Sequence, residues 1–152
     1  MNYILDTNIL ILLVKSKTFS EFFDQNYFSN SANTFFYTHI TLGELDSISK
    51  QNQWGEKRLI LLKNLLKGFN LVKSTSIDIV QNYGTIDAYS QGKLKNKPLP
   101  IGISARNMGK NDLWIAASTI VLKATLLTTD KDFDHLSPNF INIDLIDIST
   151  FY

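Results

Sequence analysis

The chain has 152 residues, 44% of them hydrophobic and 19% charged, which is the composition of a globular domain with its own core rather than of a disordered segment. It has no cysteine and only two histidines, so a disulfide scaffold, a thiolate zinc site, an iron–sulfur cluster and a cysteine nucleophile are excluded. Its 15 basic and 14 acidic residues leave a net charge of +1, which does not announce a nucleic-acid binder but would hide one if acids gather in a pocket.

Residues 2–6 read as a short strand ending in an aspartate, and residues 7–15 as a helix that is apolar on most sides. The apolar run at 9–14 is too short to cross a bilayer and lacks a basic leader, so a soluble cytoplasmic protein is expected. Residues 19–28 form a Phe-rich helical stretch and 29–33 a polar turn. The β-branched and aromatic run at 34–38 is a strand. Thr41 then caps a helix with Glu44 in its first turn, the two having the spacing of a capping box. A Leu-rich helix is expected over 54–67 with Gly68 as its stop, a third strand over 69–72 and a further helix over 77–89. After a basic, Pro-containing loop at 93–100, residues 111–122 are apolar nearly all round and predict a central buried helix. A strand at 124–128 leads into Thr129 and Asp130, and one or two late strands fall at 141–143 and 145–148. Strands alternating with helices predict an α/β domain, a mostly parallel sheet flanked by helices, spanning 1–152 as one unit. Ligands of such sheets collect beyond the carboxyl ends of the strands, where Asp6 and Asp130 both stand.

Four acids mark the starts or ends of elements: Asp6, Glu44, Asp112 and Asp130. Each has a local role open to it. Asp6 fits an N-cap, with Thr7 and Asn8 as rivals, and Glu44 fits the far half of a capping box. Asp112 complements a helix macrodipole, and Asp130 suits a turn. Together they suggest more. Asp112 stands at the mouth of an apolar helix, where burying a charge costs free energy unless something pairs with it. Carboxylates crowded into one pocket raise one another's pKa, and a hard divalent cation relieves the crowding. Magnesium or manganese takes oxygen ligands and keeps several waters, so three or four acids suffice. Phosphodiester hydrolysis then needs no histidine base, because a water beside the ion ionises near neutral pH.

Four segments carry a resemblance: Leu5-Asp-Thr-Asn-Ile-Leu10, Thr41-Leu-Gly-Glu-Leu45, Gly109-Lys-Asn-Asp-Leu-Trp-Ile-Ala-Ala117 and Leu127-Thr-Thr-Asp-Lys-Asp-Phe133. In that order they resemble the successive motifs of PIN-domain ribonucleases, above all the VapC-type toxins of bacterial toxin–antitoxin pairs. The resemblance implies a three-layer α/β/α sandwich and a Mg2+- or Mn2+-dependent endoribonuclease. It also implies a homodimer and a VapB-type antitoxin that inhibits by occupying the acidic groove. Carried over by motif, Asp6, Glu44, Asp112 and Asp130 are the catalytic, metal-binding acids. Thr7 or Asn8 supports the first, Thr128 or Thr129 orients the fourth, and Asn111 is a further supporting residue. Asp132 is the second choice for the fourth acid.

With the four acids set aside, 15 basic residues face 10 remaining acids. Lys93, Lys95, Lys97, Arg106 and Lys110 are the candidates for RNA phosphate contacts, against a plain solvated loop as the alternative. His39 is expected to cap or pack, although it stands near Glu44. Leu59, Ile60, Leu61, Leu62, Leu65 and Leu66 cover most of a helix circumference. They form either a deeply buried helix or a dimer or antitoxin surface, and the partner reading is favoured. Three other functions compete. An RNA-maturation nuclease without antitoxin shares the fold. An aspartyl phosphoacceptor needs paired acids after the first strand, where only Asp6 stands. A non-catalytic binding module would have lost acids that are all present. No Gly-rich phosphate loop or serine elbow occurs.

Overall fold

The computed structural model describes residues 1–151. β1 (Asn2–Leu5) runs into α1 (Thr7–Lys15), which is followed by α2 (Lys17–Phe23) and a π-helical turn over Asp24–Phe28. β2 (Thr34–Thr38) passes directly into α3 (His39–Gln51), and α4 (Glu56–Lys67) precedes β3 (Asn70–Val72). α5 (Ile77–Ser90), α6 (Lys110–Val121), β4 (Thr125–Thr128), a 3-10 turn (Lys131–Leu136) and β5 (Asn142–Leu145) follow. The late apolar segment gives one strand; Ile148–Phe151 is a 3-10 turn instead of a second.

The strands form one sheet in the order β3-β2-β1-β4-β5, and every pairing is parallel. The chain builds outward from β1 to β2 and β3, then returns to the other side of β1 for β4 and β5. The order therefore reverses between β1 and β4, and the crevice of a parallel sheet opens at such a reversal. Leu5 pairs with Leu127 there, and the Asp6 N–H donates to the Leu127 carbonyl at 3.0 Å. Asp6 and Asp130 are thus brought to one edge by neighbouring strands.

Side chains alternate across the sheet as the period of a strand requires. Tyr3, Leu5, Phe35, Tyr37 and Leu127 face one core, closed by α1, α2 and the aromatic residues Phe19, Phe23 and Tyr27. Ile4 and Leu126 face the other, closed by Leu113, Ile115, Ala116 and Ala117 of α6 and Ile79 and Ile86 of α5. The result is a three-layer α/β/α sandwich. No helix among the described residues is long and apolar enough to cross a membrane.

One local expectation changes, and one of two open alternatives falls away. Thr38, not Thr41, caps α3: its Oγ1 accepts from the Thr41 N–H at 3.1 Å. Because no loop separates β2 from α3, the helix starts two residues before Thr41, and Glu44 falls in its second turn. No capping box forms, so the Glu44 carboxylate is available to other partners. The α4 helix is also not deeply buried. Leu62 is buried, whereas Leu59, Ile60 and Leu61 are 42%, 50% and 48% exposed.

Candidate active site

Asp6 follows β1 directly and caps α1. Its Oδ1 accepts from the Thr7 N–H at 2.7 Å and its Oδ2 from the Thr128 hydroxyl at 2.7 Å. Both oxygens are fixed and the residue is buried. Thr128, the last residue of β4, accepts in turn from the Asp130 N–H at 3.0 Å. One threonine therefore ties the first acid to the fourth, a role the sequence left open between Thr128 and Thr129. Thr129 instead lines a separate cavity with Lys131, Leu145 and Ile146.

Glu44 lies on α3, and its carboxylate is held from two elements. The Thr7 hydroxyl of α1 donates to Oε2, and the Asn111 side-chain amide of α6 donates to Oε1 at 2.7 Å. Thr7 thus supports the second acid through its side chain and the first through its backbone. Asn8 is exposed and, among the described residues, gives its side chain no hydrogen bond to Asp6. Asp112 is half-buried in the first turn of α6. Asp130 caps the following 3-10 turn, its Oδ1 accepting from the Asp132 N–H at 2.8 Å, while Asp132 is exposed.

The acids act on one another. Burial pushes the Asp6 carboxyl up to about 6; hydrogen bonds from Thr128 and Thr7 oppose the shift, and the charges of Glu44 and Asp130 add to it. Burial likewise raises Asp112 to about 6, with the charges of Asp6, Asp130, Glu44 and Asp132 adding to it. The charge of Asp130 bears on both Asp6 and Asp112, and that of Asp132 on Asp112. Among the described residues the only ion pairs are Lys17–Glu21 and Lys50–Asp46, so no lysine or arginine neutralises the cluster. Nor, among those residues, is any group of three or more acid or histidine side chains already arranged to hold a metal ion. The donor chemistry nonetheless fits a hard divalent cation: carboxylate oxygens, crowded, partly desolvated and without an internal counter-charge.

Gly109 was not singled out by the sequence. It precedes α6 as its cap, and a Cβ placed on it would come within 2.5 Å of Asp112 Oδ2. The missing side chain is what lets the Asp112 carboxylate fold back to this position. Its sequence signal was a glycine three residues before an acid at a helix start. Gly109→Ala should displace that carboxylate and, under the nuclease role the resemblance implies for Asp112, lower RNA cleavage about 10- to 100-fold, since misplacement by an ångström carries losses of that order. Unfolding free energy should move by less than about 1 kcal/mol, because the clash falls on the end of a side chain rather than on backbone. Parallel cleavage assays and thermal melts check both.

The basic candidates separate. Lys93 and Arg106 line a common cleft of about 310 Å³, with the Lys93 ammonium donating to Gln91 Oε1 at 2.8 Å. Lys97 is engaged elsewhere: it donates to the Asn139 carbonyl at 3.1 Å and lies 4.0 Å from the Phe140 ring centre. Lys95 and Lys110 are exposed.

Comparison with known proteins agrees with this architecture. The family model of the PIN domain matches residues 3–137, and the chain belongs to that family. Among solved structures it is similar to VapBC2 from Rickettsia felis bound to a DNA fragment from its promoter, with 23% identity, a TM-score of 0.69, and 97% of this chain and 100% of that one covered. It is also similar to VapBC-1 from nontypeable Haemophilus influenzae, with 26% identity, a TM-score of 0.67, and coverage of 95% and 98%. DNA-bound VapBC from Salmonella typhimurium matches with 20% identity, a TM-score of 0.68, and coverage of 95% and 97%. A search of curated proteins returned no match.

Proposed function

We propose that this chain is a divalent-metal-dependent endoribonuclease and the toxin of a VapBC-type pair, with Asp6, Glu44, Asp112 and Asp130 as its catalytic acids. The observation that carries the reading is the hydrogen-bonded linkage of Asp6 to Asp130 through Thr128 and to Glu44 through Thr7 at the β1–β4 reversal, with Asp112 under the charge of all three and no ion pair to any of them among the described residues. PIN membership and the likeness to VapBC structures support it. A bound Mg2+ or Mn2+ would supply the charge that ionises a water near neutral pH and stabilises the leaving oxygen.

The chain's own residues do the positioning. Thr128 and the Thr7 N–H fix both oxygens of Asp6, and Thr7 and Asn111 fix both oxygens of Glu44. Ligand groups held this way need little reordering when an ion arrives, which is the usual service of such outer partners. Lys93, Arg106, Lys95 and Lys110 are proposed to bind RNA phosphates beside the acids; Lys97 is tied to the 139–140 segment and contributes less.

The exposed apolar side of α4 is proposed as the seat of a VapB-type antitoxin. Tyr37, Leu42, Leu59, Leu62 and Leu66 line a cleft of about 420 Å³ there, and exposed apolar patches of this kind mark partner surfaces. A homodimer is proposed on the family resemblance.

The test of activity is incubation with total RNA plus Mg2+ or Mn2+, with and without EDTA, followed by mapping of the ends. Cuts leaving a 5′-phosphate and a 3′-hydroxyl, abolished by EDTA, are expected. Intact RNA, or cuts that EDTA leaves untouched, would defeat the reading.

A further inference from the structure

A cleft of about 480 Å³ opens against the acid cluster, walled by His39, Ile40, Gly43, Glu44, Ile48 and Asn111. Its size falls within the range of small-ligand sites. Glu44 and Asn111 belong at once to this cleft and to the cluster, where they are hydrogen-bonded to each other. The cleft is therefore continuous with the proposed site of cutting. Its remaining wall carries no charge: Ile40 and Ile48 are apolar, Ser47 adds a hydroxyl, and a Cβ on Gly43 would meet nothing within 4 Å.

His39 does not cap α3. Thr38 caps α3, and the His39 side chain is exposed. Yet the ring is held. Its Nδ1 accepts from the Ser74 N–H at 3.1 Å, and the buried Ser74 hydroxyl lies 3.3 Å from that of Ser118 on α6. This braces the ring against the helix that carries Asn111 and Asp112. An accepting Nδ1 leaves the ring proton on Nε2 in the neutral tautomer, and among the described residues Nε2 has no partner.

We propose that this cleft seats one nucleobase of the RNA strand, next to the scissile phosphate, with the His39 ring as the surface on which that base stacks. The inference rests on the endoribonuclease reading. A base suits the cleft better than a phosphate does, because no lysine or arginine lines it and Glu44 does. Unstacked bases of single-stranded RNA pack on aromatic rings such as histidine, and a ring already fixed by Ser74 loses little freedom on doing so.

The test uses an oligoribonucleotide carrying one mapped cut site, intact or with an abasic nucleotide at either position flanking the cut. One abasic position should lower kcat/KM of the native protein about tenfold, the order of effect of losing one base–aromatic stack. His39→Ala should lower kcat/KM on intact RNA by a similar factor and lose nothing further on the abasic strand. His39→Phe should keep most of the native rate. The idea is overturned if His39→Ala cuts intact RNA as fast as the native protein. Losses from His39→Ala and from base removal that multiply would overturn it too, since a merely structural role gives that pattern. A native protein that cuts no RNA defeats the endoribonuclease reading and this one with it; a native protein that cuts while His39→Ala behaves as it does defeats this one alone.

Discussion

Asp6→Asn should lower RNA cleavage by roughly 10³-fold or more, the scale expected when a charged ligand of a catalytic ion is removed, and should at the same time stabilise the metal-free fold. The second half follows from burial. Asp6 is among the few charged residues of the buried interior, and desolvation, the largest cause, holds its carboxyl up at about 6. An ionised carboxylate there costs folding free energy at pH 7, and an amide does not. The amide oxygen can still accept from the Thr7 N–H, and the Thr128 hydroxyl can turn to accept from the amide NH2. The gain should be about 1–3 kcal/mol at pH 7, bounded by the size of the pKa shift. Asp112→Asn should match the loss of activity with a smaller gain in stability, because Asp112 is only half-buried. Cleavage assays and thermal melts in EDTA measure the two effects. Full activity in either variant, or a lower melting temperature for Asp6→Asn in EDTA, would contradict the account.

Opposed changes in activity and stability are the signature of a site whose groups conflict until an outside charge arrives. That conflict was partly legible in the sequence. Residues 2–15 and 34–38 declare themselves by period and composition, and β1, α1 and β2 follow them closely. The acids at their ends could be named individually. Their meeting could not be read from local pattern, because it depends on β1 pairing with β4 across more than a hundred residues. The same holds for Glu44. Its spacing from Thr41 imitates a capping box, and only the direct passage of β2 into α3 moves the cap to Thr38 and turns the carboxylate toward Thr7 and Asn111. Gly109 and the Ser74 N–H that holds His39 matter through contacts that composition does not encode. Motif resemblance is what suggested that the four segments belong together, since their order carries three-dimensional information that periodicity lacks.

The second large effect is on pH. Asp6 and Asp112 both titrate near 6 in the folded chain and near the ordinary carboxylate value of about 4 when unfolded. Between those values the native chain binds more protons than the unfolded one. Stability without metal is therefore greatest below about pH 4 as far as these two groups are concerned, falls as pH rises to about 6, and is flat above. A divalent ion that binds both carboxylates must displace their protons, so it binds more tightly as pH rises through the same window and restores the stability lost there. Melting temperature in EDTA should thus decline between pH 4 and 6 less steeply in Asp6→Asn than in the native chain. With manganese present, the native decline should flatten or reverse.

Proton release on ion binding is the direct readout of acids gathered around one cation. Calorimetric titration of Mn2+ into the protein at pH 6, run in two buffers of different ionisation enthalpy, measures it. Saturable binding with release of about one proton per ion is predicted, falling toward zero at pH 8 and lost in Asp6→Asn and Asp112→Asn. No Mn2+ binding, or binding that both variants retain with the same proton count, would contradict it.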